Sequence, residues 1–243
     1  VTSLRTALAL LLSGLSGAVP AAAAEKADTV VLLHGLARSS ASMGSMARVL
    51  GHHGYAVVNL DYPSTRAPVE QLVDQVLVPR LSKLTLAPDA RVHFVTHSMG
   101  GILVRDYLRR YRQPQLGRVV MLAPPNRGSE LVDRLGSLAP FRWINGPAGL
   151  QLGTGDNHLP QQLGAVDFEL GVIAGTRSLN PLYSSLIIGD DDGKVAVART
   201  RVDGMRDFLR VPHTHTFLMS APEVKRQTLH FLRVGRFDSQ AQG

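Results

Sequence analysis

Val95-Thr96-His97-Ser98-Met99-Gly100-Gly101 is the stretch on which the fold turns. The run Arg91 to Thr96 predicts a strand, and Ile102 to Tyr111 predicts a helix. A serine set directly between them occupies a sharp turn, in a strained backbone conformation, with its hydroxyl raised above the rim of a sheet. Gly100 and Gly101 suit that geometry, because small residues let the helix close against the strand. The usual pattern at such a turn is G-x-S-x-G; here Thr96 holds the first position, where a β-branched side chain crowds the bend. The plainer alternative makes Ser98 an N-cap and the glycines a packing device. Ser98 is the candidate nucleophile.

Working outward, Thr29 to Leu33, Ala56 to Leu60, Val119 to Leu122, Leu170 to Ala174 and Phe208 to Val211 are short, apolar runs of the kind buried on both faces of a sheet. Helical spacing lies between them. Met43, Met46 and Leu50 mark one helix; Val69, Leu72, Val73, Val76 and Leu77 mark another, interrupted by Pro79; Val224 to Val234 closes the chain. Strands alternating with amphipathic helices predict an α/β fold, a doubly wound, mostly parallel sheet flanked by helices. Reactive groups in such sheets gather beyond the carboxyl ends of the strands. After Pro124-Pro125 the alternation lapses, and residues 134–167 read as a short, lid-like insertion. Its Phe141, Trp143 and Ile144 fit either an acyl chain or the core.

The 243 residues include no cysteine, which excludes disulfides, thiolate metal sites and a cysteine nucleophile. The formal charge is +7, but the basic residues are scattered among apolar and acidic neighbours, which argues against a nucleic-acid partner. The densest group, Arg109, Arg110 and Arg112, falls near a predicted helix end, where cations complement the dipole. Residues 1–24 differ from the rest: Arg5, an apolar run from Ala7 to Leu12, then small residues ending at Ala24. That order reads as a secretory signal peptide and predicts a periplasmic or secreted protein of one domain, 25–243. An uncleaved membrane anchor is the alternative, weakened by Gly14, Gly17 and Pro20.

Taken together, His34-Gly35 after the first strand, Thr96 to Gly101, Pro124-Pro125-Asn126-Arg127-Gly128-Ser129, Asp192-Gly193-Lys194-Val195 and the late histidines make the chain resemble the α/β-hydrolase superfamily, in its bacterial lipase and esterase branch. The resemblance implies a chain order of Ser, then Asp or Glu, then His. Asp192 is the implied acid, since it heads a D-G-x-V pattern, with Asp191 in reserve. His213 and His215 lie two apart, so in an extended stretch both rings face the same way; His-Thr-Phe resembles the segment carrying the base and favours His215. The amides of Leu36 and Met99 are the implied oxyanion donors. Asn126 stands where relatives carry His and fits either a turn or a substrate contact. The implied activity is hydrolysis of carboxylic esters through an acyl-enzyme, with no cofactor and no metal, on small-molecule or lipid substrates, with transient contact to a lipid surface. Two rivals remain: thioester hydrolysis or acyl transfer by the same groups, and a non-catalytic acyl-ligand-binding module.

Overall fold

The computed structural model describes residues 27–239. The segment read as a signal peptide, 1–24, lies outside the described residues. Six strands, β1 (Thr29–Leu33), β2 (Ala56–Leu60), β3 (Val92–His97), β4 (Leu116–Leu122), β5 (Leu170–Gly175) and β6 (Asp207–Val211), form one sheet in the order β2-β1-β3-β4-β5-β6. Every pairing is parallel. Successive strand residues feed opposite faces: Val31, Leu33 and Phe94 pack into one core, and Val30, Leu32 and Val95 into the other. The doubly wound reading is the observed architecture.

Helices α1 (Gly44–His52), α2 (Val69–Leu72), α3 (Val78–Leu81), α4 (Met99–Arg110), α5 (Glu130–Leu135), α6 (Ala139–Leu150), α7 (Leu159–Gln162), α8 (Pro181–Ser184), α9 (Val197–Thr200) and α10 (Pro222–Val234) complete the chain, with 3-10 turns at Ser40–Met43 and Leu218–Ser220. Pro79 does not end its helix. A π turn, Val73–Leu77, joins α2 to α3, and its wider spacing takes up the proline that cannot donate within an α-helical ladder. The segment 134–167 is more helical than its Gly and Pro content suggests: α6 and α7 lie within it. Gly146, at φ 62°, kinks α6 just before Pro147.

The strand order reverses between β1 and β3, because β1 leads outward to β2 and the chain then returns to the other side of β1. That switch point opens a crevice at the carboxyl ends of β1 and β3. Leu36 follows β1 and Ser98 follows β3, so the topology alone brings them to one place.

Candidate active site

Ser98 joins β3 to α4 with φ 53° and ψ −125°, a conformation that costs a non-glycine residue about 1–3 kcal/mol. Its amide donates to the Leu122 carbonyl of β4 at 2.8 Å, and its carbonyl accepts from the Gly101 amide at 2.9 Å. A Cβ on Gly100 would lie 2.8 Å from the carbonyl oxygens of both Leu33 and His34, so the helix sits against β1 at a distance only glycine allows. Thr96 is tolerated at the crowded position because Gly101 leaves room: a Cβ there would stand 3.3 Å from Thr96 Oγ1. Thr96 is fully buried, and its hydroxyl has no partner among the described residues.

His215 Nε2 lies 3.0 Å from Ser98 Oγ, and His215 Nδ1 lies 2.8 Å from Asp192 Oδ2. The carboxylate fixes the ring proton on Nδ1, which leaves Nε2 as an acceptor facing the serine hydroxyl. Both His215 and Asp192 are buried. The other Asp192 oxygen accepts from the amides of Lys194 (3.0 Å) and Val195 (2.9 Å), so the acid is aimed by its own loop. His213 is not in this group. The chain turns at 212–217 and is not extended, so the two rings diverge and His213 Nε2 faces Glu223 at 3.5 Å.

The three adjacent aspartates do three different things. Asp190 pairs with Arg210. Asp191 accepts from the Gly193 amide at 2.6 Å and from Ser184 Oγ at 2.9 Å, which shapes the turn and ties it to α8. Asp192 alone reaches the histidine.

Met99 is the first residue of α4, where helical amides lack an intrahelical acceptor. Leu36 lines the same cavity as Ser98, and its amide has no acceptor among the described residues. The preceding turn is held firmly. His34 Nδ1 donates to the Gly35 carbonyl at 2.8 Å, its ring stacks on Tyr62 at 4.1 Å, and the Tyr62 hydroxyl donates to the His34 carbonyl at 2.5 Å. Burial raises the Tyr62 hydroxyl pKa and lowers that of the His34 ring.

Two groups of consequence, His97 and Arg105, were not read from the sequence. His97 is buried, and its Nε2–H donates to the His215 carbonyl at 2.9 Å while the rings lie 4.8 Å apart. Burial, and then the nearness of His215, hold its pKa well below the ordinary 6.5, so it is a neutral brace. Its only advertisement was adjacency to Ser98. Arg105, buried in α4, donates to the carbonyls of Asn126 (2.8 Å), Pro160 (3.2 Å) and Gly164 (2.6 Å), tying the turn after β4 and the end of the 134–167 segment to the helix that follows Ser98. Asn126 accepts from Arg105 and donates to the Thr200 carbonyl at 2.8 Å, which makes it a buried strut. Ser129 Oγ donates to the Lys194 carbonyl at 2.8 Å and so links this turn to the acid loop.

A cavity of about 380 Å³ opens above Ser98. Leu131, Leu135, Phe141, Ile144 and Leu152 make it mostly apolar. Of the three candidates in α6, Phe141 and Ile144 line it; Trp143 is neither lining nor core, being 86% exposed. Among the described residues no group of three His, Cys, Asp or Glu is arranged to hold a metal ion, and no helix is long and apolar enough to cross a membrane.

Residues 30–232 match the model described as Alpha/beta hydrolase family. Solved structures agree in fold. A lipase of Bacillus licheniformis in mature form superposes with a TM-score of 0.64 at 21% identity, covering 87% of this chain and 92% of that one. A phospholipase from Legionella pneumophila gives 0.67 at 19% identity, over 86% of this chain and 60% of its own. A metagenomic carboxyl esterase gives 0.59 at 21% identity, over 79% and 65%. No curated protein matches the chain.

Proposed function

Since this chain belongs to the alpha/beta hydrolase family, we propose that it is a serine hydrolase cleaving carboxylic esters through an acyl-enzyme. One observation carries the reading: the unbroken relay Asp192 Oδ2, His215 Nδ1, His215 Nε2, Ser98 Oγ, with separations of 2.8 and 3.0 Å. A serine hydroxyl is a weak nucleophile at neutral pH and needs such a base and orienting acid. In the proposed reaction His215 Nε2 takes the Ser98 proton as Oγ attacks the ester carbonyl. The amides of Leu36 and Met99 meet the oxyanion, each worth about 3 kcal/mol where such donors have been removed. His215 returns the proton to the departing alcohol; a water then attacks the acyl-enzyme carbonyl while giving its proton to His215, and as the bond to Ser98 Oγ breaks His215 passes that proton to Oγ, releasing the acid and restoring the serine. Asp192 steadies the imidazolium throughout.

The apolar cavity suits an acyl chain, and residues 134–167 are the proposed cap over it. Leu138 and Ile144 line the cavity while remaining exposed, and with Trp143 they are the proposed contacts to a lipid surface. Export, directed by residues 1–24, is part of the same reading.

The test is fluorophosphonate labelling with the site mapped by mass spectrometry, beside turnover of matched oxygen and thioesters. Labelling of Ser98 that is lost in His215→Ala and retained in His213→Ala, with faster turnover of oxygen esters, is the expected outcome. Preference for the thioester moves the substrate class and keeps the machinery. Failure to label wild-type Ser98, with no turnover of activated short esters, overturns the proposal in favour of a binding module.

A further inference from the structure

Two cations stand at the Ser98 cavity without an ion-pair partner among the described residues. Arg38 follows the turn after β1, Lys194 follows Asp192-Gly193, and both line the cavity. Arg38 is half-buried and Lys194 exposed, and both stand on the wall of the cavity that Ser98 lines. Neither side chain has an ion pair or hydrogen bond among the described residues. The nearby carboxylates are committed: Asp192 to His215 and two amides, Asp191 to Gly193 and Ser184, and Asp61 to the Ser40 amide, with His34 3.6 Å away.

Arg38 has a second aspect. It also lines a second, open groove of about 560 Å³, whose wall carries Arg48, Ser42, Ser45 and Thr216 beside the apolar Phe217 and Met219. Arg48 too has no acidic partner among the described residues. Arg38 thus belongs to both walls, the mostly apolar cavity that holds Ser98 and Lys194 and the groove that holds Arg48. Desolvation lowers the Lys194 pKa and the charge of Arg38 lowers it further, against the opposing pull of Asp192, so a second anion at the pair would relieve the repulsion between them.

Resting on the esterase reading above, we propose that these two cations form an anion subsite, and that the substrate is an amphiphilic ester whose non-acyl part carries a phosphate or carboxylate held by Arg38 and Lys194. Arg38 presents a planar fork suited to two oxygens of one oxyanion, and Lys194 adds a compact charge from the opposite loop. Arg48 lies further along the groove, where a longer headgroup would reach it.

Binding tests this without requiring turnover. In the full chain carrying Ser98→Ala, isothermal titration calorimetry compares octyl phosphate with octanol, and then each with Arg38→Gln or Lys194→Gln added. Octyl phosphate binds at least about tenfold more tightly, and each Gln variant removes most of that preference, as expected for charge-assisted bonds. Octyl hydrogen succinate distinguishes the sources: parity with octyl phosphate assigns the subsite to any oxyanion, and weaker binding assigns it to phosphate. In the active protein, kcat/KM for dihexanoyl glycerophosphate over that for dihexanoylglycerol, both as monomers, exceeds one and falls about tenfold in each Gln variant. Urea midpoints verify that the variants are folded. Equal binding of octyl phosphate and octanol, or a preference that neither substitution moves, overturns the subsite. A preserved binding preference in a protein that neither labels nor turns over overturns the hydrolytic reading and leaves the subsite standing.

Discussion

Gly100→Ala puts one methyl group where the structure has no room for it. The added Cβ falls 2.8 Å from the Leu33 carbonyl oxygen, 2.8 Å from the His34 carbonyl oxygen and 3.0 Å from Leu33 Cβ. These are about 0.5 Å or more short of ordinary contact, and the two nearest atoms are backbone. Neither can swing aside. Leu33 is hydrogen-bonded within β1, between β2 and β3, and the His34 carbonyl already holds the Tyr62 hydroxyl at 2.5 Å. Relief must come from α4 backing away from β1, which displaces Ser98 and Met99 relative to Leu36. Overpacking of this kind costs about 1–3 kcal/mol of stability. A shift of several tenths of an ångström between the proposed nucleophile and the proposed oxyanion donors costs roughly one to two orders of magnitude in kcat, given that about 1 Å costs a hundredfold. Gly51→Ala is the internal control. It lies in α1 with nothing within 4 Å of the built Cβ, so it gains about 0.5–1 kcal/mol from helix propensity and leaves the rate alone. Urea midpoints and kcat on p-nitrophenyl butyrate read both effects. Gly100→Ala with wild-type midpoint and wild-type kcat refutes the packing argument.

Asp192→Asn lowers kcat by about a thousandfold or more with an unchanged circular dichroism spectrum, because the imidazole proton moves to Nε2 and can no longer accept from Ser98; a drop under tenfold sinks the assigned role. Arg105→Met leaves the Asn126, Pro160 and Gly164 carbonyls without their donor and costs about 3 kcal/mol by urea unfolding, with less than 1 kcal/mol being the refuting value. Acidification from pH 7.5 to 5.5 lowers stability. Burial depresses the pKa of His34, His93 and His97, so the unfolded chain binds more protons than the folded one, and stability present above about 6.5 is lost as pH falls. Each contributes at most about 1.4 kcal/mol per pH unit, and a flat or rising urea midpoint on acidification contradicts the sign.

The fold was legible because its buried strands advertise themselves: Thr29–Leu33 and Leu170–Gly175 are almost wholly apolar and buried on both faces, as the strands of a two-sided parallel sheet are. Ser98, Asp192 and His215, the candidates drawn from motif and resemblance, are brought together in the structure. What stayed illegible depends on long-range contact. Nothing in the local sequence sets Arg105 apart from the other arginines of its helix, yet it is 3% exposed, and three of its acceptors lie 21 to 59 residues away. The choice between His213 and His215 turned on a local bend that alternation arguments assume away. Trp143, the natural guess for a pocket residue, is exposed because helical spacing places it on the far side of α6 from Leu138, Phe141 and Ile144 on the wall.

The order of the strands explains why His215, the proposed base, needs bracing and Ser98, the proposed nucleophile, does not. Ser98 stands at the end of β3, held by β4 through Leu122 and by its own helix. His215 arrives from β6, three strands away, or about 14 Å at ordinary strand spacing. A loop reaching that far carries its ring with little intrinsic precision. Two main-chain bonds supply it: the His215 amide donates to the Asp192 carbonyl at 2.9 Å, and the His215 carbonyl accepts from His97 Nε2 at 2.9 Å. One pins the base to the acid, and the other pins it to the residue beside the nucleophile. The relay is therefore referenced at both ends to the groups it must serve, and a buried, neutral His97 is suited to that post because a second positive charge beside the imidazolium would oppose its formation.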